Sequence, residues 1–157
     1  MDYLPIAINL KDKRVVVVGG GQVALRKIKT LLDAGARVHV ISPAAAPGVK
    51  RLARGRAITW APRHVRRTDI RNASFVVAAT NNSVVNERIS RWAHEHDVSV
   101  NVVDHPAISD FISPAVIRLK KAIIAVYTDG RDPILSRDIK NFLKERWGDF
   151  LSYRNRS

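Results

Sequence analysis

The chain has 157 residues, 46% hydrophobic and 26% charged, the composition of a folded globular protein and the length of about one domain with a small satellite. Cysteine is absent, which removes a disulfide scaffold, a thiolate zinc site and a cysteine nucleophile. No apolar run approaches the ~18 residues of a membrane span, and Asp2 does not suit a secretory signal, so a cytoplasmic chain without a membrane partner is expected. With 27 Lys and Arg against 14 Asp and Glu the net charge is +13, a field suited to nucleic acid, an anionic surface or a strongly acidic small molecule.

Arg14-Val15-Val16-Val17-Val18 is a β-branched run ended by Gly19-Gly20-Gly21 and predicts a strand buried on both faces. From Gln22 to Ala34, Val23, Ala24, Ile28, Leu31 and Leu32 recur at helical spacing, and Gly35 stands where a left-handed C-terminal cap belongs. A second strand, Arg37 to Ile41, stops at Ser42-Pro43 and completes a βαβ unit. The rhythm continues with a weak helix at 47–54, a strand at 57–61, a poorly patterned basic segment and a strand at 74–79. Asn81 to Ser83 offer caps for a helix at 84–96 that turns Val84, Val85, Ile89, Trp92 and Ala93 to the sheet, and a fifth strand follows at 98–103. Strands alternating with helices predict an α/β fold with a doubly wound parallel sheet, whose ligands lie beyond the carboxyl ends of the strands. Beyond Asp104, strands at 111–118 and 122–127 are separated only by Leu119-Lys120-Lys121, too few residues for a parallel crossover, and predict an antiparallel pair followed by a helix from about Pro133 to Trp147. The division expected is a dinucleotide-binding domain at 1–112 and a small strand-strand-helix unit at 113–157. The latter is too short to hold a core alone, so it should pack on the first domain or pair with a second copy.

Gly19-Gly20-Gly21-Gln22-Val23-Ala24 is G-x-G-x-x-A between a strand and a helix, the arrangement that lets a pyrophosphate approach bare backbone amides at a helix N-terminus. Ser42 and Pro43 stand where an acid would hold the ribose of NAD, which leaves NAD and NADP both open at this point. Ala79, Thr80 and Asn81 end the fourth strand where a nicotinamide ribose or amide lies. Asp104, at the end of the fifth strand, is the titratable group best placed for proton transfer beside a cofactor, with a loop-capping aspartate as the bland reading. His39, His64, His94, His96 and His105 show no metal spacing beyond His94-x-His96, which alternates around a helix, so no metal site is expected. The basic segment Lys50 to Arg71 carries a net +7 and reads equally as a solvated face. It lacks interleaved aromatics beyond Trp60 and matches no nucleic-acid motif, so no nucleic-acid partner is expected. A non-catalytic NAD-sensing module accounts for the glycine turn but gives Asp104 no role.

Met1 to Ile6, Val17-Val18-Gly19-Gly20-Gly21-Gln22-Val23-Ala24-Leu25-Arg26-Lys27, Ala78 to Asn82, Asn101-Val102-Val103-Asp104 and Phe111-Ile112-Ser113-Pro114 together resemble the precorrin-2 dehydrogenase family, which includes the N-terminal module of siroheme synthase. The resemblance runs from residue 1 to about 147. It implies a Rossmann-like fold and NAD-dependent dehydrogenation of precorrin-2 to sirohydrochlorin in siroheme biosynthesis. In members that are also sirohydrochlorin ferrochelatases, iron(II) is a co-substrate. It further implies a homodimer built on the second unit, NAD contacts at Gln22, Val23, Pro43 and Ala44 beside Gly19, Gly21, Ser42, Ala79, Thr80 and Asn81, and Asp104 as the key aspartate. The tetrapyrrole substrate is rich in carboxylates, which suits a +13 chain, and Arg118, Lys120, Lys121, Arg131, Arg137 and Lys140 are the candidates to pair with them. One departure is Tyr127-Thr128-Asp129-Gly130-Arg131-Asp132-Pro133, where the family commonly shows a serine-rich turn.

Overall fold

A computed structural model describes residues 3–154 with the exception of Asp104 and Lys121. These residues form two compact units, one spanning 7–111 and the other 112–154 together with 3–6.

In the larger unit the valine run forms strand β1 (Arg14–Val18), whose side chains alternate between two apolar clusters. Val16 and Val18 join Ile41, Val76, Ile89 and Val100 in one, and Val15 and Val17 join Ala24, Ile28, Val38 and Val40 in the other. Helix α1 (Gln22–Asp33) buries Ala24 and Ile28, and Gly35 follows it at φ +78°, the left-handed conformation that ends a helix without a Cβ clash. Then come β2 (Arg37–Ile41), α2 (Pro47–Arg54) and β3 (Thr59–Ala61). They are followed by α3 (Arg67–Ile70), β4 (Phe75–Ala78), α4 (Ser83–His94) and β5 (Ser99–Val102). All pairings are parallel and the order is β3-β2-β1-β4-β5, so the winding reverses between β1 and β4 and a crevice opens at their carboxyl ends.

Two expectations change. The basic segment contains α3, a single helical turn fastened by its one acid, Asp69, which accepts from the N–H of Arg66 at 2.7 Å. On α4 the buried residues are Asn86, Ile89, Ser90 and Ala93, and Val84, expected on the sheet face, is 60% exposed. The face is rotated because two polar residues are satisfied inside it: Ser90 donates to the Ile108 carbonyl at 2.8 Å, and Asn86 bonds Thr80.

The free edge of β5 is covered by side chains. The Val100 N–H donates to Asp110 Oδ2 and the Val102 N–H to Ser109 Oγ, each at 2.8 Å, while the Asp110 N–H donates back to the Val100 carbonyl. Residues 109–110 thus stand in for a sixth strand and blunt an edge that would otherwise recruit another chain.

In the smaller unit β6 (Ala115–Arg118) and β7 (Ile123–Val126) pair antiparallel, with Ala115 opposite Val126 and Arg118 opposite Ile123. Helix α5 (Pro133–Glu145) lies against both strands. Asp132 caps it, accepting from the Leu135 N–H at 2.8 Å, and Pro133 takes the first helical position, where a missing N–H costs nothing. The chain breaks at Arg146 and resumes as α6 (Trp147–Arg154), a helix the sequence reading did not foresee. Among the described residues no helix is long and apolar enough to cross a membrane.

Candidate functional site

At the carboxyl ends of β1, β2 and β4 lies a cleft of about 470 Å³. Gly19, Gly21, Ser42, Pro43, Ala44, Ala79, Thr80 and Asn81, all expected at the site, line it. Gln22 and Val23 occupy the first turn of α1 with exposed side chains and are not among the lining residues.

The glycines have separate tasks. Gly19 has φ +121°, and a Cβ there would meet the Ala79 carbonyl oxygen at 2.2 Å, so its lack of a side chain lets β1 pass against the end of β4. Gly21 has φ −78°, open to any residue, and a Cβ there would meet no atom within 4 Å. The space beside Gly21 is therefore open cleft. As N-cap of α1 it offers no side-chain acceptor, and no acid stands in the first turn, so the leading N–H groups of α1 and the positive end of its dipole remain for a ligand. A glycine-bordered cradle of bare amides fits a dinucleotide pyrophosphate.

The opposite wall is stiffened by a residue that sequence reasoning missed. Asn86, 7% exposed, accepts from the Thr80 hydroxyl at 2.7 Å and the Thr80 N–H at 3.2 Å, and its amide donates back to the Thr80 carbonyl at 3.1 Å. Asn82 caps α4 through the Val85 N–H at 3.1 Å. The available signal was a polar residue at the i, i+3, i+4 spacing of Asn86, Ile89 and Ser90, a pattern that places Asn86 on the inner face.

A second cavity of about 250 Å³ shares Thr80 and Asn81 with the first and extends to Asn86, Val102, Val103, His105 and Ile108. Asp104 falls between Val103 and His105 in the chain and lies outside the described residues. Its neighbours are fixed: the Val103 N–H donates to the Ala78 carbonyl at 2.9 Å, and Ser109 Oγ donates to the His105 carbonyl at 3.0 Å.

The third wall comes from the loop after β3, which presents His64 and Val65. Arg63 grips both oxygens of Asp69 at 2.7 Å and donates to the His64 carbonyl at 3.0 Å. The Arg63 hydrogen bonds, helped by the Arg66 N–H, hold the Asp69 carboxyl below the usual range against the opposing effect of burial.

The basic residues proposed for substrate all lie in the smaller unit and do not form one cluster. Arg118 and Lys120 are at the turn end of the β6–β7 pair, whereas Arg131 follows β7 at the other end and lies 3.5 Å from Asp129. Arg137, on α5, contacts neighbouring Asp138 at 3.0 Å. Lys121 lies outside the described residues. Among the described residues no group of three or more His, Asp or Glu could hold a metal ion.

Residues 6–115 match the profile of an NAD(P)-binding family. Over 154 residues the chain is 34% identical to the precorrin-2 dehydrogenase of Bacillus subtilis (strain 168), covering 98% of this chain and 94% of that protein. It is 41% identical over 137 residues to the siroheme synthase of Azotobacter vinelandii, covering 87% of this chain, and spans about 30% of the length of the siroheme synthases it matches. Among solved structures, SirC, a precorrin-2 dehydrogenase, matches with a TM-score of 0.79 at 28% identity, over 92% of this chain and 71% of that one.

Proposed function

The chain belongs to the precorrin-2 dehydrogenase family, and we propose that it oxidises precorrin-2 to sirohydrochlorin with NAD. The observation that carries the cofactor site is the open, glycine-bordered cleft over the uncapped start of α1. Bound there, NAD supplies the hydride acceptor. The leading amides of α1 hold the pyrophosphate, and Thr80, fixed by Asn86, sets the wall at the β4 end. Dehydrogenation removes a hydride and a proton from the macrocycle. Asp104 accepts the proton, and Arg118, Lys120, Lys121, Arg131 and Arg137 supply cations for the substrate's carboxylates.

The partner proposed is a second copy of the chain, joined through the smaller unit, where Ile117 is the one buried apolar side chain among the described residues while Ile134 and Phe142 are 61% and 58% exposed. Incubation with precorrin-2 and NAD, followed by absorbance of the reduced cofactor and of the macrocycle, tests the reaction. Verified NAD binding without turnover would leave a nucleotide-binding module in place of an enzyme. A second incubation with sirohydrochlorin and iron(II), the metal here being a substrate, reads chelation separately.

A further inference from the structure

Dinucleotide sites selective for NAD carry an acid after the second strand, where it bonds the ribose hydroxyls and repels a 2′-phosphate. This cleft has none: the turn after β2 is Ser42-Pro43-Ala44, and no Asp or Glu is among the described residues that line it. Ser42 is also locked in place. Its N–H donates to the Ala61 carbonyl at 3.2 Å, its carbonyl accepts from Trp60 Nε1 at 3.0 Å, and its hydroxyl donates to the Ala44 carbonyl at 2.7 Å. The turn is thus a fixed, neutral wall.

Facing the same cleft is His64, held there through its carbonyl by Arg63, whose guanidinium is engaged with Asp69. Surrounding it is the segment Lys50 to Arg71 with its net charge of +7. Ala44 and Ala46 of the lining lead directly into α2, which begins without a side-chain cap or an acid in its first turn. A neutral turn, an imidazole donor and a positive field remove the means of rejecting an additional phosphate and supply attraction for one.

We propose that the cleft accepts NADP as well as NAD, with Ser42 and His64 deciding the ratio between them. The inference rests on the reading of this cleft as the dinucleotide site. It is tested by calorimetric titration of the whole chain with NAD, NADP, 5′-AMP and adenosine 2′,5′-bisphosphate at low and high salt. The expected result is an NADP affinity within about tenfold of that for NAD at low ionic strength, falling more steeply with salt than the NAD affinity. Ser42→Asp, which introduces the missing acid, should lower the NADP-to-NAD affinity ratio by roughly tenfold or more. His64→Ala should lower it by roughly threefold, the effect of one lost hydrogen bond. If NAD binds and NADP at a hundredfold higher concentration does not, or if Ser42→Asp leaves the ratio unmoved, the proposal is wrong while the NAD reading stands. If neither dinucleotide binds, both fall. Should Ser42→Asp fail to fold, the unsubstituted chain decides the matter: 2′,5′-bisphosphate binding no weaker than 5′-AMP supports the proposal, and markedly weaker binding overturns it.

Discussion

Gly21 and Gly19 differ in what a side chain would disturb. At Gly21 the backbone is extended and the space is open, so Gly21→Val should fold normally while filling the room a pyrophosphate needs. Saturating NAD at ~100 times its dissociation constant should stabilise the parent chain by about 2.7 kcal/mol, and the variant should show no such gain in a thermal melt. An undiminished shift in Gly21→Val would move the cofactor elsewhere. Asp104 invites a different substitution, because Asn keeps shape and capping capacity but is not a competent base. Asp104→Asn should preserve NAD binding and cut dehydrogenase turnover by about 10²–10⁴-fold. Near-parental turnover would reduce Asp104 to a loop residue. For Asp69 the sign follows from its lowered native pKa: the stability it contributes is full above the unfolded carboxylate value and is lost as pH falls through the native one. The melting-temperature deficit of Arg63→Ala should therefore be largest near neutrality and shrink below about pH 4. A deficit independent of pH between 3 and 7 would mean that Arg63 acts through packing alone. His39, lowered first by burial and then by Arg14, acts in a higher window and is common to both chains compared.

At the scale of elements, α4 is the informative case. Its existence and its cap were legible, since Asn82 precedes an apolar periodic run, and Asn82 does accept from the Val85 N–H. Which face it buries was not, because hydrophobic periodicity counts Val84 as core and Asn86 as surface, whereas buried hydrogen bonds reverse both. Removing those bonds with Asn86→Ala leaves the Thr80 N–H without its acceptor in a half-buried wall, which should cost about 1–3 kcal/mol and weaken NAD binding with it. If Asn86→Ala matches the parent in denaturant midpoint and in NAD affinity, Thr80 is held by something else. Helix α3 was illegible for a related reason: its turn is set by the side chain of Asp69 rather than by an apolar pattern, in a segment otherwise dominated by arginine. The glycine turn and the end of β4 were readable because their chemistry is local, a few adjacent residues at strand ends. Asn86 and the loop bearing His64 reach the cleft only through tertiary contacts between segments distant in the chain.

For the whole molecule, the contrast between the two units decides what is expected in solution. The larger unit places its valines and isoleucines in two clusters on either face of a sheet, and even its free β5 edge is occupied by Ser109 and Asp110. The smaller unit does not close in this way: Ile123, Ile134, Leu135, Phe142, Phe150, Leu151 and Tyr153 are all exposed. Helices that pack a two-stranded sheet while leaving such residues in water bury too little apolar surface to be stable alone, and a symmetric pairing of two such units covers the same patch on both. A stable pairing of this kind buries at least about 1,200 Å² in total. Light scattering at micromolar concentration should therefore give twice the mass of 17.5 kDa. Phe142→Glu, which puts a charge in the centre of the patch, should halve that mass. Because Phe142 lies in the smaller unit and the dinucleotide cleft is built wholly from the larger one, the NAD-induced thermal shift should survive in that variant. A monomeric parent chain would show that the exposed apolar face is covered by something other than a second copy, and a dimeric Phe142→Glu would place the interface away from α5.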